Sequence, residues 1–179
     1  MINMMTLKDS DANIHLENTI SVIKNAESKL SILAGCLSSP FTNNNLYIYE
    51  LSNFIEKPNS YLEILLSNYD ENSAKRHSNL LKRLAYYIST DYKEKIVIKL
   101  IHRSINFAED ENKEPIYFLL NDKGGYCISN NYLSEALSFT PQKGVLSETL
   151  SKAFNDLFLQ ANSLDVLTLF NTTDNDKSK

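Results

Sequence analysis

Glycine and proline are scarce in this 179-residue sequence, with four of each. Flexible and semi-rigid linkers are rich in these residues, so their scarcity argues against modules joined by long linkers. A chain of this length predicts one domain with a core of substantial size. We therefore expect one domain over residues 1–170 and a polar, frayed tail over residues 171–179.

Long apolar runs are also absent from the sequence. No run approaches the roughly 18 residues that a membrane-spanning helix needs. The N-terminal stretch MINMMTLKDSDAN lacks the basic region and following apolar block that mark a signal peptide. We therefore expect a cytoplasmic protein that does not contact a membrane.

Positively charged residues are fewer than negatively charged ones. The 18 Lys and Arg residues against 22 Asp and Glu residues give a net charge of -4 and a pI near 5.4. A protein that coats nucleic acid by charge alone needs many cations to displace counterions. Binding of nucleic acid is therefore not favoured, although a local basic patch would permit it. The one basic cluster, KRHSNLLKR over residues 75–83, predicts a solvated helix face, with a phosphate- or acid-binding patch as the alternative.

Histidine and cysteine are few and dispersed. His15, His77 and His102 are far apart, and neither Cys36 nor Cys127 has a partner two to four residues away, so no metal site is predicted. Phosphate-loop and G-x-S-x-G motifs are missing as well, and no cofactor is expected. Both cysteines lie in apolar runs, which predicts buried free thiols. A single disulfide or a reactive thiol is the alternative.

What the sequence does contain is an alternation of short apolar runs with amphipathic stretches. The runs, rich in β-branched residues, predict strands over residues 31–37, 61–67, 96–101, 116–120 and 126–129. Helices are predicted over residues 11–30, 45–57, 71–89 and the closing apolar stripe 146–161. This order predicts an α/β fold with a mixed, mainly parallel sheet and helices on both faces.

The segment EPIYFLLNDKGGYCISNN, residues 114–131, and the order of elements before it are similar to one repeat of the phospholipase D-like superfamily. In that family a strand bears His-x-Lys, an Asp follows five residues after the Lys, and then come a glycine-containing turn and a paired strand. Aligning Asp122 with that Asp places Pro115 at the histidine and Tyr117 at the lysine. The resemblance implies a His nucleophile and a Lys that neutralises phosphoryl oxygens, and Pro and Tyr supply neither.

Two functions follow from this comparison. The missing His and Lys favour a catalytically silent module that binds protein, as an adaptor or accessory subunit of a bacterial-type system. Because the family builds one site from two repeats, the partner is expected to be a second copy or a larger protein. The alternative is a nuclease or phosphodiesterase whose diverged site uses His102, Arg103 and Asp122, or is completed by a partner.

Each of these three residues also has a plainer interpretation. His102 and Arg103 follow a predicted strand, and ligands often bind at strand ends in open α/β sheets, but two solvated residues at a strand terminus are the favoured interpretation. Asp122 precedes a turn, where aspartate commonly accepts backbone N–H bonds. It is interpreted as such a residue or as a remnant of the family site.

The closing segment carries more apolar side chains than one helix face needs. Beyond the stripe, the stretch LDVLTLF adds Leu164, Val166, Leu167, Leu169 and Phe170. An exposed apolar run is typical of an interface. We therefore predict that residues 164–170 take part in self-association or partner docking.

Overall fold

A computed structural model of the chain describes residues 4–101, 116–130 and 136–171. The helices are α1 (Met4–Asn25), α2 (Asn45–Glu56), α3 (Glu71–His77), α4 (Asn79–Ile88), α5 (Ser147–Gln160) and α6 (Val166–Asn171). The strands are β1 (Lys29–Ala34), β2 (Tyr61–Leu66), β3 (Ile96–Leu100), β4 (Ile116–Asn121), β5 (Tyr126–Asn130), β6 (Ala136–Thr140) and β7 (Asn162–Ser163).

The seven strands form one sheet in the order β6-β5-β4-β1-β2-β3-β7. The predicted mixed α/β fold, with a sheet flanked by helices, is confirmed. Parallel pairing joins β1 to β2 and β2 to β3, whereas the other pairings of the described strands are antiparallel. The parallel share is smaller than predicted because β4, β5 and β6 follow one another in the chain and pair as neighbours in opposite directions.

The central strands are buried on both faces of the sheet, which explains their almost unbroken apolar sequence. Leu30 and Ile32 of β1 pack with α1, α2, α4 and α6 in the larger core. Leu33 belongs to a second core on α5, where the ring of Phe154 packs against Phe118 with 6.3 Å between centroids. Among the described residues, no helix is both long and apolar enough to cross a bilayer.

The helix predicted over residues 71–89 is two helices, because the chain is extended at Ser78 (φ -95°, ψ 97°). The side chain of this fully buried residue accepts a hydrogen bond from the Leu81 N–H at 3.0 Å, which caps α4. The Ser78 hydroxyl also donates to the carbonyl of Leu37, beyond the end of β1. One serine thus begins a helix and attaches it to the loop after the first strand.

The apolar residues of the closing segment pack within the chain. Val166 and Leu169 are 1% and 6% exposed in the larger core, and α6 lies against α3 and α4. Leu164, Leu167 and Phe170 are partly buried against the same core. The premise of an exposed apolar run is therefore wrong for Val166 and Leu169, since burying them completes the core beside α4. A role of the partly buried residues in an interface stays a prediction.

We expect Leu169→Ala to lower the free energy of unfolding by about 3 kcal/mol, because it removes buried methyl groups and leaves a cavity. Leu159→Ala, at a position 80% exposed on α5, is the matched control and should change stability by less than about 0.5 kcal/mol. Urea unfolding followed by circular dichroism measures both. Equal effects of the two substitutions would show that α6 is not part of the core.

Candidate functional site

At one edge of the sheet, where strands end, lie the end of β1, the start of β4 and the end of β5. They meet there because β4 is antiparallel to both of its neighbours. A cavity of about 70 Å³ lies at this edge. Its lining includes Gly35 after β1, Tyr117 on β4, Ser129 on β5 and His15 on α1. Three strands and the first helix therefore contribute to one concave site.

Tyr117, which aligns with the lysine of the phospholipase D-like motif, lines this cavity. The side chain is 7% exposed, and its hydroxyl lies above Gly35. A Cβ atom on Gly35 would be only 2.7 Å from the Tyr117 hydroxyl oxygen, so the glycine makes room for the phenol ring. A phenol can donate one hydrogen bond to a phosphate oxygen, but it carries no positive charge in either protonation state and so cannot neutralise the charge of the phosphate.

His15 is the residue of the cavity that the sequence did not single out as a site. It is 2% exposed and stacks on Phe41, with 4.6 Å between ring centroids. Burial lowers the pKa of His15 to about 4, so the imidazole is neutral at pH 7. Its Nδ1 lies 3.5 Å from the sulfur of Cys127, and the described residues offer its Nε2 no hydrogen-bond partner.

Cys127 is the neighbour of this histidine and is also uncharged. Burial raises the pKa of its thiol to about 11, although a hydrogen bond from Thr19 acts in the opposite direction. A protonated thiol is a poor nucleophile. Both cysteines are free, as predicted, with Cys127 buried and Cys36 only partly so. His15 and Cys127 therefore form a neutral pair in the folded protein.

Asp122 lies at the opposite end of β4 from Tyr117. Its carboxylate accepts the backbone N–H groups of Glu27 and Ser28, with N···O distances of 2.9 and 2.7 Å, and the Ser28 hydroxyl at 2.7 Å. Partial burial by itself raises the pKa of Asp122, but these hydrogen bonds outweigh it and hold the pKa below its usual value. The aspartate accepts backbone N–H groups as predicted, yet they belong to the connection between α1 and β1.

The hairpin turn itself depends on Asn121, which the sequence analysis did not single out. Its side-chain oxygen accepts the N–H groups of Lys123 and Gly125 at 3.0 and 2.7 Å. Gly124 adopts φ 77°, a conformation that favours glycine, so the two glycines are explained by the turn. The side-chain amide of Asn121 also donates to the Val22 carbonyl at 2.9 Å and ties the hairpin to α1.

His102, Arg103 and Pro115 are outside the described residues. In the basic cluster, Lys75 pairs with Glu71 at 2.8 Å, and the Arg83 guanidinium packs on the Tyr86 and Tyr87 rings at 5.4 and 4.9 Å. Within residues 4–101, 116–130 and 136–171, no group of three or more His, Cys, Asp and Glu is placed to hold a metal ion.

No protein-family profile and no curated protein matches this chain. Among solved structures, NucT from Helicobacter pylori is similar, with a TM-score of 0.52 at 13% sequence identity. The alignment covers 87% of this chain and 94% of NucT. At this identity the likeness concerns the fold alone. The fold is phospholipase D-like, as the sequence predicted.

Asp122→Asn tests the hydrogen bonds at the far end of β4. An aspartate with a lowered folded pKa adds stability above its unfolded pKa of about 3.9, and this stability is lost as the pH falls through the folded value. The side chain is exposed, so we expect a loss of only about 1 kcal/mol near pH 7 and a smaller difference between the two proteins near pH 3.

Urea unfolding at the two pH values measures this difference. Asp91→Asn, at an exposed position between α4 and β3, is the control and should behave like the unaltered protein at both. A difference that does not depend on pH would mean that the charge of Asp122 is not what stabilises the connection.

Proposed function

We propose that this chain is a phospholipase D-like module that binds another protein and does not cleave phosphodiesters itself. The observation that carries the proposal is the buried Tyr117, which stands at the position of the family lysine and packs over Gly35. A lysine there would bring a cation to the sheet edge at which the cavity lies. The tyrosine brings an aromatic ring instead.

The charge of the cavity supports this proposal. Phosphoryl transfer develops negative charge on oxygen, and enzymes stabilise it with cations or aligned donors. Among the described residues that line the cavity, none is a lysine or an arginine. The neutral His15 has a nitrogen lone pair, but an apolar wall without a cation disfavours a charged phosphate beside it. A histidine nucleophile without a nearby cation supplies only part of what phosphoryl transfer requires.

The proposed partner is a second copy of the chain or a larger protein. The resemblance to a family that assembles its sites from two repeats motivates this, since one repeat accounts for the whole described fold. Leu164, Leu167 and Phe170 retain partly exposed surface and are the candidates left from the predicted interface. An adaptor or accessory role follows if the partner is a different protein.

A nuclease or phosphodiesterase is the second candidate, and the similarity to NucT, a phospholipase D-like nuclease, favours it. Its site would use His102 and Arg103, or residues supplied by a partner. Asp122 fits this role poorly, because its carboxylate is held by Glu27 and Ser28 at the end of β4 away from the cavity. Direct assay separates the two candidates.

We expect no turnover when the pure protein is incubated with labelled DNA, labelled RNA and a generic phosphodiester, with and without divalent metal ions. The reason is the absence of a family His and Lys at positions 115 and 117. Activity that is lost in His102→Ala or Asp122→Ala, but retained in His77→Ala, would contradict the proposal and support the nuclease. Circular dichroism must show that each variant is folded.

The association is tested at Leu167 and Phe170. Replacing both with glutamate places charge on partly exposed apolar surface and should weaken self-association or partner capture at least about tenfold if this surface is the interface. Leu159→Glu is the control, because Leu159 is exposed on a different helix. Sedimentation equilibrium measures self-association, and a pull-down from the native host measures capture of a different protein. Unchanged association in the folded double variant would place the interface elsewhere.

A further inference from the structure

The cavity at the end of β1 has the size of a small binding site. Its volume of about 70 Å³ is roughly half that of an engineered 150 Å³ cavity that admits benzene, and several times the space that one water needs. An occupant smaller than benzene fits, as does the end of a longer molecule.

The walls of this cavity select for an uncharged occupant. Ile32, Leu33 and Phe118 contribute apolar surface, and the described polar lining residues are neutral: hydroxyls, thiols, one imidazole and two phenols. Transfer of an ionised group from water into such surroundings is strongly unfavourable. The occupant is therefore apolar over most of its surface and has no formal charge.

As far as the described residues show, His15 provides an unsatisfied polar atom in this lining, its Nε2. A buried polar atom without a partner is destabilising, and native structures leave few of them. Its Nδ1 already faces Cys127 at 3.5 Å, so Nε2 is the atom that an occupant would satisfy. The stack on Phe41 holds the ring in position.

The contact between Cys127 and His15 allows Nε2 to be either a donor or an acceptor. The thiol donates to Nδ1 in one tautomer of the neutral ring and accepts from it in the other, and the 3.5 Å distance fits both. Nε2 is a donor in the first case and an acceptor in the second. A primary amide matches either, because its carbonyl oxygen accepts and its N–H groups donate.

We propose that this cavity binds a small uncharged molecule bearing a primary amide group, which forms a hydrogen bond with His15 Nε2. The apolar part of the molecule lies against Ile32, Leu33 and Phe118. The proposal rests on the cavity alone and holds whether or not the protein associates with a partner. It concerns binding and involves no covalent step.

Acetamide and acetate test the proposal, because they have nearly the same shape and differ in charge. In the unaltered protein, acetamide should shift the ¹⁵N resonance of His15 Nε2 saturably, with a dissociation constant on the order of 10 mM for so small a ligand. Acetate at equal ionic strength should bind at least about tenfold more weakly. The resonances of His77, which is exposed on α3, should not move with either compound.

His15→Phe keeps an aromatic ring beside Phe41 and removes the nitrogen Nε2. The folded variant should lose the saturable response of the cavity methyl groups to acetamide, whereas His77→Phe should retain it. If His15→Phe does not fold, the comparison of acetamide with acetate in the unaltered protein decides the question. The proposal would be overturned by equal responses to acetamide and acetate, or by the lack of a saturable response to acetamide. It would also be overturned if His15 Nε2 exchanged protons with water and did not respond to acetamide.

Discussion

The antiparallel pairing of β4 with β1 is the constraint on which the rest of this structure depends. Leu33 pairs with Phe118 at one end of the two strands, and Leu30 pairs with Asn121 at the other. This register brings Tyr117 over Gly35 and Asp122 beside the connection from α1. Tyr117 and Asp122, which align with positions of one family motif, therefore lie at opposite edges of the sheet. A slip by one residue would turn each side chain to the other face.

The site that results is organised around neutral groups. In water, histidine titrates near pH 6.5 and cysteine near pH 8.5, and a close pair readily shares charge. Here burial moves the pKa of His15 down to about 4 and that of Cys127 up to about 11. The shifts oppose the formation of an imidazolium–thiolate pair. Such an arrangement suits recognition of an uncharged group better than attack on an anion.

The sequence contained most of what determines the strands and little of what determines the cavity. The apolar runs that became β1 to β5 are readable because each strand buries at least one face, and the glycines of the hairpin are readable from turn chemistry. The direction of β4 could not be read from the sequence, because neither periodicity nor propensity indicates which neighbour a strand pairs with. The phospholipase D-like resemblance supplied the fold, and the structural likeness agrees with it.

The errors come from contacts between parts of the chain that are far apart in the sequence. Ser78 interrupts a continuous amphipathic pattern because its hydroxyl caps one helix and bonds to the loop after β1, which a helical-wheel argument does not detect. Val166 and Leu169 looked superfluous because the depth of the core beside α4 is a tertiary property. His15 gave no signal, since its role comes from Phe41 and Cys127, which are distant in the chain.

The contact of Tyr117 with Gly35 has an evolutionary consequence. With the phenol in this position, a side chain at position 35 would require the ring to move, so the two positions are coupled by packing. A lysine at position 117 would remove the ring and leave uncovered space above a residue that has no side chain to fill it. The two positions are thus expected to change together among descendants of this sequence, and the gain of a cation at this end of the sheet would require compensation at position 35 as well.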